Sequence, residues 1–168
     1  MKLLNNQLII GHKPELSSLM TMAKDGITDV VTILMESEGA RKIKTMAQSQ
    51  GLNWHWFSFN KINHPDQLQN IDETLFLHQA HTLKSHIQKS RYRTYYIHGD
   101  EGICRTGMMV YAVYQLLGHS RDEARAAILH IRPKTYQEMG APCLDRVDEM
   151  LANCSDKVVY MANFKKAS

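Results

Sequence analysis

A histidine, a glycine-containing turn and an arginine lie together near the middle of the chain, in the segment HGDEGICRTG. The strand-like sequence TYYI precedes this segment and the helix-like sequence MMVYAVYQLL follows it. A turn between a strand and a helix brings backbone N–H groups and the positive end of a helix dipole to one place, where anions bind. Arg105 adds a planar fork of donors that matches two phosphate oxygens, and Gly102 permits backbone angles that other residues resist. The predicted phosphate-binding residues are Asp100, Glu101, Gly102, Ile103, Cys104, Arg105 and Thr106.

The composition is that of a globular protein with one domain. The chain has 168 residues, of which 43% are hydrophobic and 22% charged, and its net charge is +3. This charge is compatible with an anionic ligand and too small to indicate nucleic acid. Three cysteines do not suggest a disulfide framework, and no apolar run is long enough to span a bilayer. We therefore predict a single domain over residues 1–168 in the reducing cytoplasm.

Strand-like and helix-like segments alternate along the chain, which predicts an α/β fold with a central, mostly parallel sheet flanked by helices. The predicted strands are 8–10, 27–35, 53–60 and 94–98. The predicted helices begin near Pro14, Glu36, Asp66 or Ile71, Thr106, Ser120 and Pro142. Ser120 and Glu123 form a capping box for the fifth helix, which Pro133 is expected to end near Ile131.

The segment from His98 to Gly107 resembles the loop H-C-x-x-G-x-x-R-[ST]-G of the cysteine-dependent protein tyrosine and dual-specificity phosphatases. His98, Gly102, Arg105, Thr106 and Gly107 all match in register. The segments QLIIGHKP, GITDVVTILMESEG and SRDEARAAILHIRPKT resemble the compact dual-specificity type, so the resemblance covers most of the chain. It implies a dual-specificity-phosphatase-like domain that needs no cofactor, with His98 supporting the loop by hydrogen bonding.

The chain departs from the family at Gly99, where the family has the cysteine whose thiolate attacks phosphorus. Glycine has no side chain, so the family mechanism cannot run through this residue. We therefore predict a pseudophosphatase that binds a phosphate, a phosphoprotein or another phosphoester, or a partner protein. Asp100 and Glu101 are unusual neighbours for an anion pocket, and we expect both carboxylates to face solvent.

An active phosphohydrolase is the alternative, and it requires another nucleophile or a cysteine at position 99 in the natural protein. Cys104 is the first candidate, but its backbone N–H belongs to the predicted cradle, which turns its side chain away from the in-line position. Asp100 has no motif that supports an acyl phosphate. With cysteine at position 99 the segment would read HCDEGICRTG, an intact family loop.

The family also uses an aspartate on an upstream loop to protonate the leaving oxygen. Asp66 follows Pro65 in the segment after the third predicted strand and is the candidate general acid. Two alternatives stand beside it. Pro65 and Asp66 can simply open the next helix, or Asn60 or Lys61 can occupy the acid position, so that the acid is missing as well.

Two other ligand classes fit the sequence less well. His78 and His81 lie three residues apart on one predicted helix, but His86 falls off their face and no carboxylate or cysteine completes a set, so no metal site is predicted. The segment GDEGICRT is close to the nucleotide-binding pattern G-x-x-x-x-G-K-[ST]. It has Cys104 in place of the second glycine and Arg105 in place of the lysine, which makes a P-loop nucleotide binder the weakest alternative.

Overall fold

A five-stranded sheet forms the centre of the protein. The computed structural model describes residues 2–3, 5–62 and 65–166, with side chains described for 5–62 and 66–154. The strands are β1 (Lys2–Leu3), β2 (Asn6–Gly11), β3 (Asp29–Thr32), β4 (Asn53–Trp56) and β5 (Thr94–His98). Their order in the sheet is β1-β2-β5-β3-β4, with β1 antiparallel to β2 and the other pairs parallel. This confirms the predicted α/β fold with a mostly parallel sheet.

Helices cover both faces of the sheet. They are α1 (Ser18–Lys24), α2 (Ala40–Ser49), α3 (Glu73–Lys89), α4 (Cys104–Leu116), α5 (Arg121–Ile131) and α6 (Pro133–Lys166), with short 3-10 helices at Glu36–Glu38 and Pro65–Asn70. Val30 and Val31 of β3 are both 0% exposed and lie in different apolar clusters. Because neighbouring strand residues point to opposite faces, Val30 packs on the side of α1 and α2, and Val31 on the side of α3 to α6.

The four parallel strands end at the same edge of the sheet, at Gly11, Thr32, Trp56 and His98. Ligands of open α/β sheets bind in the crevice outside this carboxyl edge. The loop that leaves β5 therefore begins between the ends of β2 and β3, at the edge where the sequence places the oxyanion pocket.

Helix α4 fixes the far end of that loop. Its residues 105–114 are all buried, and it packs against α3, α5 and α6. A helix enclosed on all sides is apolar around its whole circumference, as the sequence MMVYAVY shows. The amino end of α4 is thus held firmly at the carboxyl edge of the sheet.

The start of α5 was predicted correctly and the start of α6 was not. Ser120 Oγ accepts from the Glu123 N–H at 3.3 Å, and Glu123 Oε2 accepts from the Ser120 N–H at 2.7 Å, which confirms the capping box. Helix α5 ends at Ile131 as expected, but Pro133 also begins α6, well before the predicted start at Pro142. Proline suits the first helical position because the N–H that it lacks has no helical acceptor there.

Helix α6 has one internal break, at Gly140 (φ 69°, ψ 171°), two residues before Pro142. A proline ring disfavours a helical conformation of the residue before it and removes one N–H donor. The predicted start at Pro142 therefore corresponds to the point where α6 resumes after this break.

Candidate oxyanion-binding site

The loop from Gly99 to Ile103 is held by its backbone against the end of β2. Gly102 has φ +72°, and a Cβ on it would lie 2.0 Å from the carbonyl oxygen of Gly11. Only glycine fits such an approach. The carbonyl of Asp100 accepts from the N–H of Lys13 at 2.7 Å, which ties the same stretch to the segment after β2.

Arg132, the single residue between α5 and α6, holds the other side of the loop. Its Nη1 donates to the carbonyl oxygens of Glu101 and Gly102, at 2.9 and 2.8 Å. The hydroxyl of Thr135, which is 0% exposed, donates to the same Gly102 oxygen at 2.7 Å. The loop carbonyls are therefore bound by groups outside the loop.

The N–H groups of the loop are left without acceptors. Among the hydrogen bonds of the described residues, none uses an N–H of residues 100–105 as its donor. Because the carbonyls of Asp100, Glu101 and Gly102 are bound outside the loop, we infer that the N–H groups turn inward, as in the anion-binding concavities that successive amides form. The amino end of α4 at Cys104 adds the helix dipole to these donors.

Arg105 is buried, with 6% exposure, and forms a two-pronged ion pair with Glu38. Its Nη1 and Nη2 donate to the two carboxylate oxygens of Glu38, at 2.7 and 2.8 Å. Burial alone would raise the pKa of Glu38, but the hydrogen bonds from Arg105 and the N–H of Met35 outweigh it and hold this pKa below its usual value. Glu38 therefore stays ionised and fixes the guanidinium in one orientation.

This orientation leaves Nε of Arg105 for a ligand. Nε lies 3.9 Å from the position that a Cβ on Gly99 would take, and it has no acceptor among the described residues. Glu38 and Arg105 neutralise each other, so the attraction for an anion comes from this N–H, the loop amides and the helix dipole. The guanidinium lies beside the loop, and its role in binding an anion stays a prediction.

Gly99 has no side chain at the position where the phosphatases that the sequence resembles have a cysteine. A Cβ on Gly99 would meet Oγ1 of Thr106 at 3.0 Å, and its φ lies outside the left-handed region, so a larger residue fits the backbone. Thr106 is 0% exposed, and its hydroxyl has no hydrogen-bond partner in the part of the chain that the structure describes. An unpaired buried hydroxyl is rare, and this one points toward the missing side chain.

His98 connects the loop to the sheet through a chain of hydrogen bonds. Its Nδ1 donates to the carbonyl of Gly99 at 2.9 Å, because a carbonyl can only accept. Its Nε2 then accepts from the Thr32 hydroxyl at 2.9 Å, and that hydroxyl accepts from Nε1 of Trp54 at 3.0 Å. Burial lowers the pKa of His98 to about 4, so the neutral ring holds the loop.

The loop forms one wall of a cavity of about 490 Å³. The same cavity is also lined by Lys61, Ile62, Glu138, Met139 and Cys143. Nζ of Lys61 lies 3.8 Å from a carboxylate oxygen of Asp100, which is half-exposed. Glu101 is exposed, so its carboxylate faces solvent as expected.

Cys104 lines the cavity and is partly buried, with its thiol against Met108 and Cys143. Its sulfur lies 3.7 Å from that of Met108, and a hydrogen bond with Cys143 together with burial raises its pKa. A protonated thiol is a poor nucleophile. The structure places Cys104 in the first turn of α4 and not in the turn that the sequence predicts, because the helix begins two residues before Thr106.

Asp66, the candidate general acid, lies in the 3-10 helix before α3, where its side chain is exposed. It is not among the residues that line the cavity, whereas Lys61, from the alternative alignment, is. The acid role of Asp66 stays a prediction.

Two features are absent from the part of the chain that the structure describes. No group of three or more histidine, cysteine, aspartate or glutamate residues there is placed to hold a metal ion. None of the helices described there is long and apolar enough to cross a membrane.

Comparison with known proteins gives the class of fold. No family model and no curated protein matches the chain. A glycine-to-alanine mutant of Tk-PTP is 16% identical with a TM-score of 0.66 over 89% of this chain and 92% of its own. PTPMT1 is 18% identical with a TM-score of 0.52 over 89% and 95% of the two chains. TpbA of P. aeruginosa is 12% identical with a TM-score of 0.56 over 85% and 80%.

The chain therefore has the fold of the protein tyrosine and dual-specificity phosphatases. TpbA has been solved in complex with pTyr, and PTPMT1 in complex with PI(5)P. Identities below one fifth show the fold and leave the chemistry of this chain to its own residues.

Sequence reasoning missed three residues that shape the site, namely Glu38, Arg132 and Thr135. They lie 30 to 67 residues from their partners in the loop, too far for a local pattern to reveal. Glu38 alone had a usable signal, because it follows the carboxyl end of a predicted parallel strand, where ligand-binding residues collect.

Proposed function

We propose that this chain binds a phosphate or phosphoester in the loop from Gly99 to Thr106 and lacks the catalysis of its fold class. The observation that carries the proposal is a complete set of donors around a position with no side chain. Nε of Arg105 lies 3.9 Å from the Cβ position of Gly99, and the unpaired amides of residues 100–105 lead from Gly99 to the amino end of α4. The set can hold an oxyanion, and no atom of residue 99 can attack it.

The ligand class follows from the donors and from the fold. N–H groups that face one another across a small concavity fit the oxygens of a tetrahedral anion. Fold relatives have been solved with pTyr and with PI(5)P, so a phosphoprotein or a phosphoinositide is a ligand of the proposed kind. A partner protein that presents such a group is included, and we keep the expectation of a cytoplasmic protein that does not bind nucleic acid.

A calorimetric titration with inorganic phosphate at pH 7 tests this function. Arg105→Lys keeps the positive charge beside Glu38 but removes the Nε donor, and we expect it to weaken binding about tenfold or more. Arg91→Lys is the matched control, because Arg91 is exposed and precedes β5, at the opposite edge of the sheet. Equal affinities of all three proteins, or no binding by the unchanged chain, would contradict the proposal.

Cys104, the first candidate for a substitute nucleophile, is held against Met108 with a sulfur–sulfur distance of 3.7 Å, which argues against an attack by this residue. The general acid can be assigned once a cysteine is placed at position 99. In a Gly99→Cys background, Asp66→Asn lowers turnover by about 10² or more if Asp66 is the acid. If turnover is unchanged, Asp66 is not the acid. The acid position then falls on Asn60 or Lys61, and neither residue can protonate the leaving oxygen as the family's aspartate does.

A further inference from the structure

The hydroxyl of Thr106 is a polar group of the site to which the fold gives no partner among the described residues. It is fully buried and unpaired among the described residues, although Thr106 lines the cavity. Most buried hydroxyls are hydrogen-bonded, and an unpaired one destabilises the folded protein. Such a group at the floor of a binding site is expected to find its partner in the ligand.

The space above Gly99 is bounded by polar atoms. The three nearest to the Cβ position are the Thr106 hydroxyl at 3.0 Å, the carbonyl oxygen of Ile33 at 3.5 Å and Nε of Arg105 at 3.9 Å. The first can donate or accept, the second only accepts and the third only donates. An oxygen that carries a proton can satisfy all three, because it has two lone pairs to accept from Thr106 and Arg105 and one proton to donate to Ile33.

We propose that the absence of a side chain at position 99 creates a floor subsite for one protonated oxygen of inorganic phosphate. The inference rests on the proposed function and names its ligand. Monohydrogen phosphate carries a proton at pH 7, whereas sulfate carries none and a phosphomonoester has largely lost its proton above a pKa of about 6. Thr106 donates to this oxygen, and the oxygen donates to the Ile33 carbonyl.

Thr106→Val separates this role from a structural one because affinity and stability respond differently. The substitution keeps the shape and removes only the hydroxyl. We expect phosphate affinity to fall about tenfold to a hundredfold, as for a lost hydrogen bond to a charged group. The melting temperature without ligand should stay the same or rise, since the hydroxyl has no partner to lose. Thr106→Ser, which keeps the hydroxyl, should retain most of the affinity.

Gly99→Ala fills the subsite and provides a second test of it. Its Cβ takes the place of the phosphate oxygen, so phosphate affinity should fall about as far as in Thr106→Val. Adding Thr106→Val to Gly99→Ala should cost little more, because the two changes remove the same contact. The unchanged chain should bind phosphate about tenfold more tightly than sulfate, and both variants should lose this preference.

These titrations use inorganic phosphate and sulfate with the full chain, and their failure is distinguishable from that of the proposed function. Phosphate affinity of Thr106→Val within about twofold of the unchanged chain would overturn the floor subsite, as would equal affinities for phosphate and sulfate. If Arg105→Lys still lost affinity in either case, the proposed function would stand. If the unchanged chain bound neither anion, both proposals would fall together.

Discussion

Two buried threonines stand on the two faces of the loop between β5 and α4, and they differ in their partners. On the outer face, Thr135 donates to the Gly102 carbonyl at 2.7 Å and accepts from Arg132 at 3.1 Å. On the inner face, Thr106 is equally buried and has no partner among the described residues. The outer face is thus complete within the fold, while the inner face is complete only with a ligand.

The difference shows which part of the site the fold determines. The outer contacts bring the ends of β2 and β5 and the start of α6 together, so they hold the loop in place whether or not anything is bound. The same contacts orient the donors of the inner face, but those donors form no hydrogen bonds in them. The shape of the cradle therefore does not depend on a side chain at position 99.

The largest effect is expected where the outer face is broken at the backbone. Gly102→Ala places a Cβ 2.0 Å from the Gly11 carbonyl at φ +72° and should lower the free energy of unfolding by about 3 kcal/mol or more. Gly118→Ala is the matched control, because Gly118 also has a positive φ, +94°, but no atom within 4 Å. Its cost should be about 1 kcal/mol. Similar urea-denaturation midpoints for the two variants would show that a Cβ on Gly102 meets no steric clash with the end of β2.

The next effect is the pH dependence of stability that comes from His98, whose neutral ring donates to the Gly99 carbonyl. Burial lowers its pKa to about 4 in the folded protein from 6.5, so the unfolded chain binds the extra proton between these values. Stability is therefore full above pH 6.5 and falls as the pH drops toward 4, by about 3 kcal/mol in total. His98→Asn should remove this part of the slope, measured by urea denaturation between pH 7.5 and 4.5. An equal slope in both proteins would mean that His98 does not titrate in this way.

A direct comparison of the two threonines gives a smaller effect. Thr135→Val removes a hydroxyl that donates to the loop and should lower the free energy of unfolding by about 1–2 kcal/mol. Thr106→Val makes the same chemical change at the same burial and should leave the free energy unchanged or raise it. Chemical denaturation without added anions measures both free energies of unfolding. Equal losses in the two variants would show that the two threonine hydroxyls contribute equally to the fold.

The smallest effect concerns the charge at the rim of the site. Glu101 is exposed beside the cradle, and its carboxylate repels a bound anion. Glu101→Gln should strengthen phosphate binding about twofold at low salt, and the gain should vanish in 0.5 M salt because exposed charges are screened. Asp122→Asn, a change at a side chain that is 96% exposed on α5, serves as the control. A gain that persists at high salt would indicate a direct contact instead.

The inner face could be predicted from the sequence because it is local. Arg105, Gly102 and Thr106 lie within a few residues of one another, and their spacing after a strand is what predicts an oxyanion pocket. The order of strands and helices and the capping box at Ser120 follow from equally local patterns.

The outer face depends on contacts that a single sequence does not show. Glu38 and Thr135 meet the loop across 67 and 33 residues, and only the folded sheet brings them there. Pro133 illustrates a related limit. A proline after a helix predicts its end, but whether it also opens the next helix depends on the packing of α6 against α4 and α5.

The central claim is that the cradle is complete and that only the nucleophile is missing. Hydrolysis of para-nitrophenyl phosphate between pH 5 and 8 tests it most directly, with the unchanged chain, Gly99→Cys and Gly99→Ser measured together. We expect turnover from the cysteine variant alone, more than about 10³-fold above the other two, because only a thiolate is activated by the helix end and Arg105. Turnover by the unchanged chain would reveal another nucleophile, and turnover by none of the three would show that the defect extends beyond residue 99.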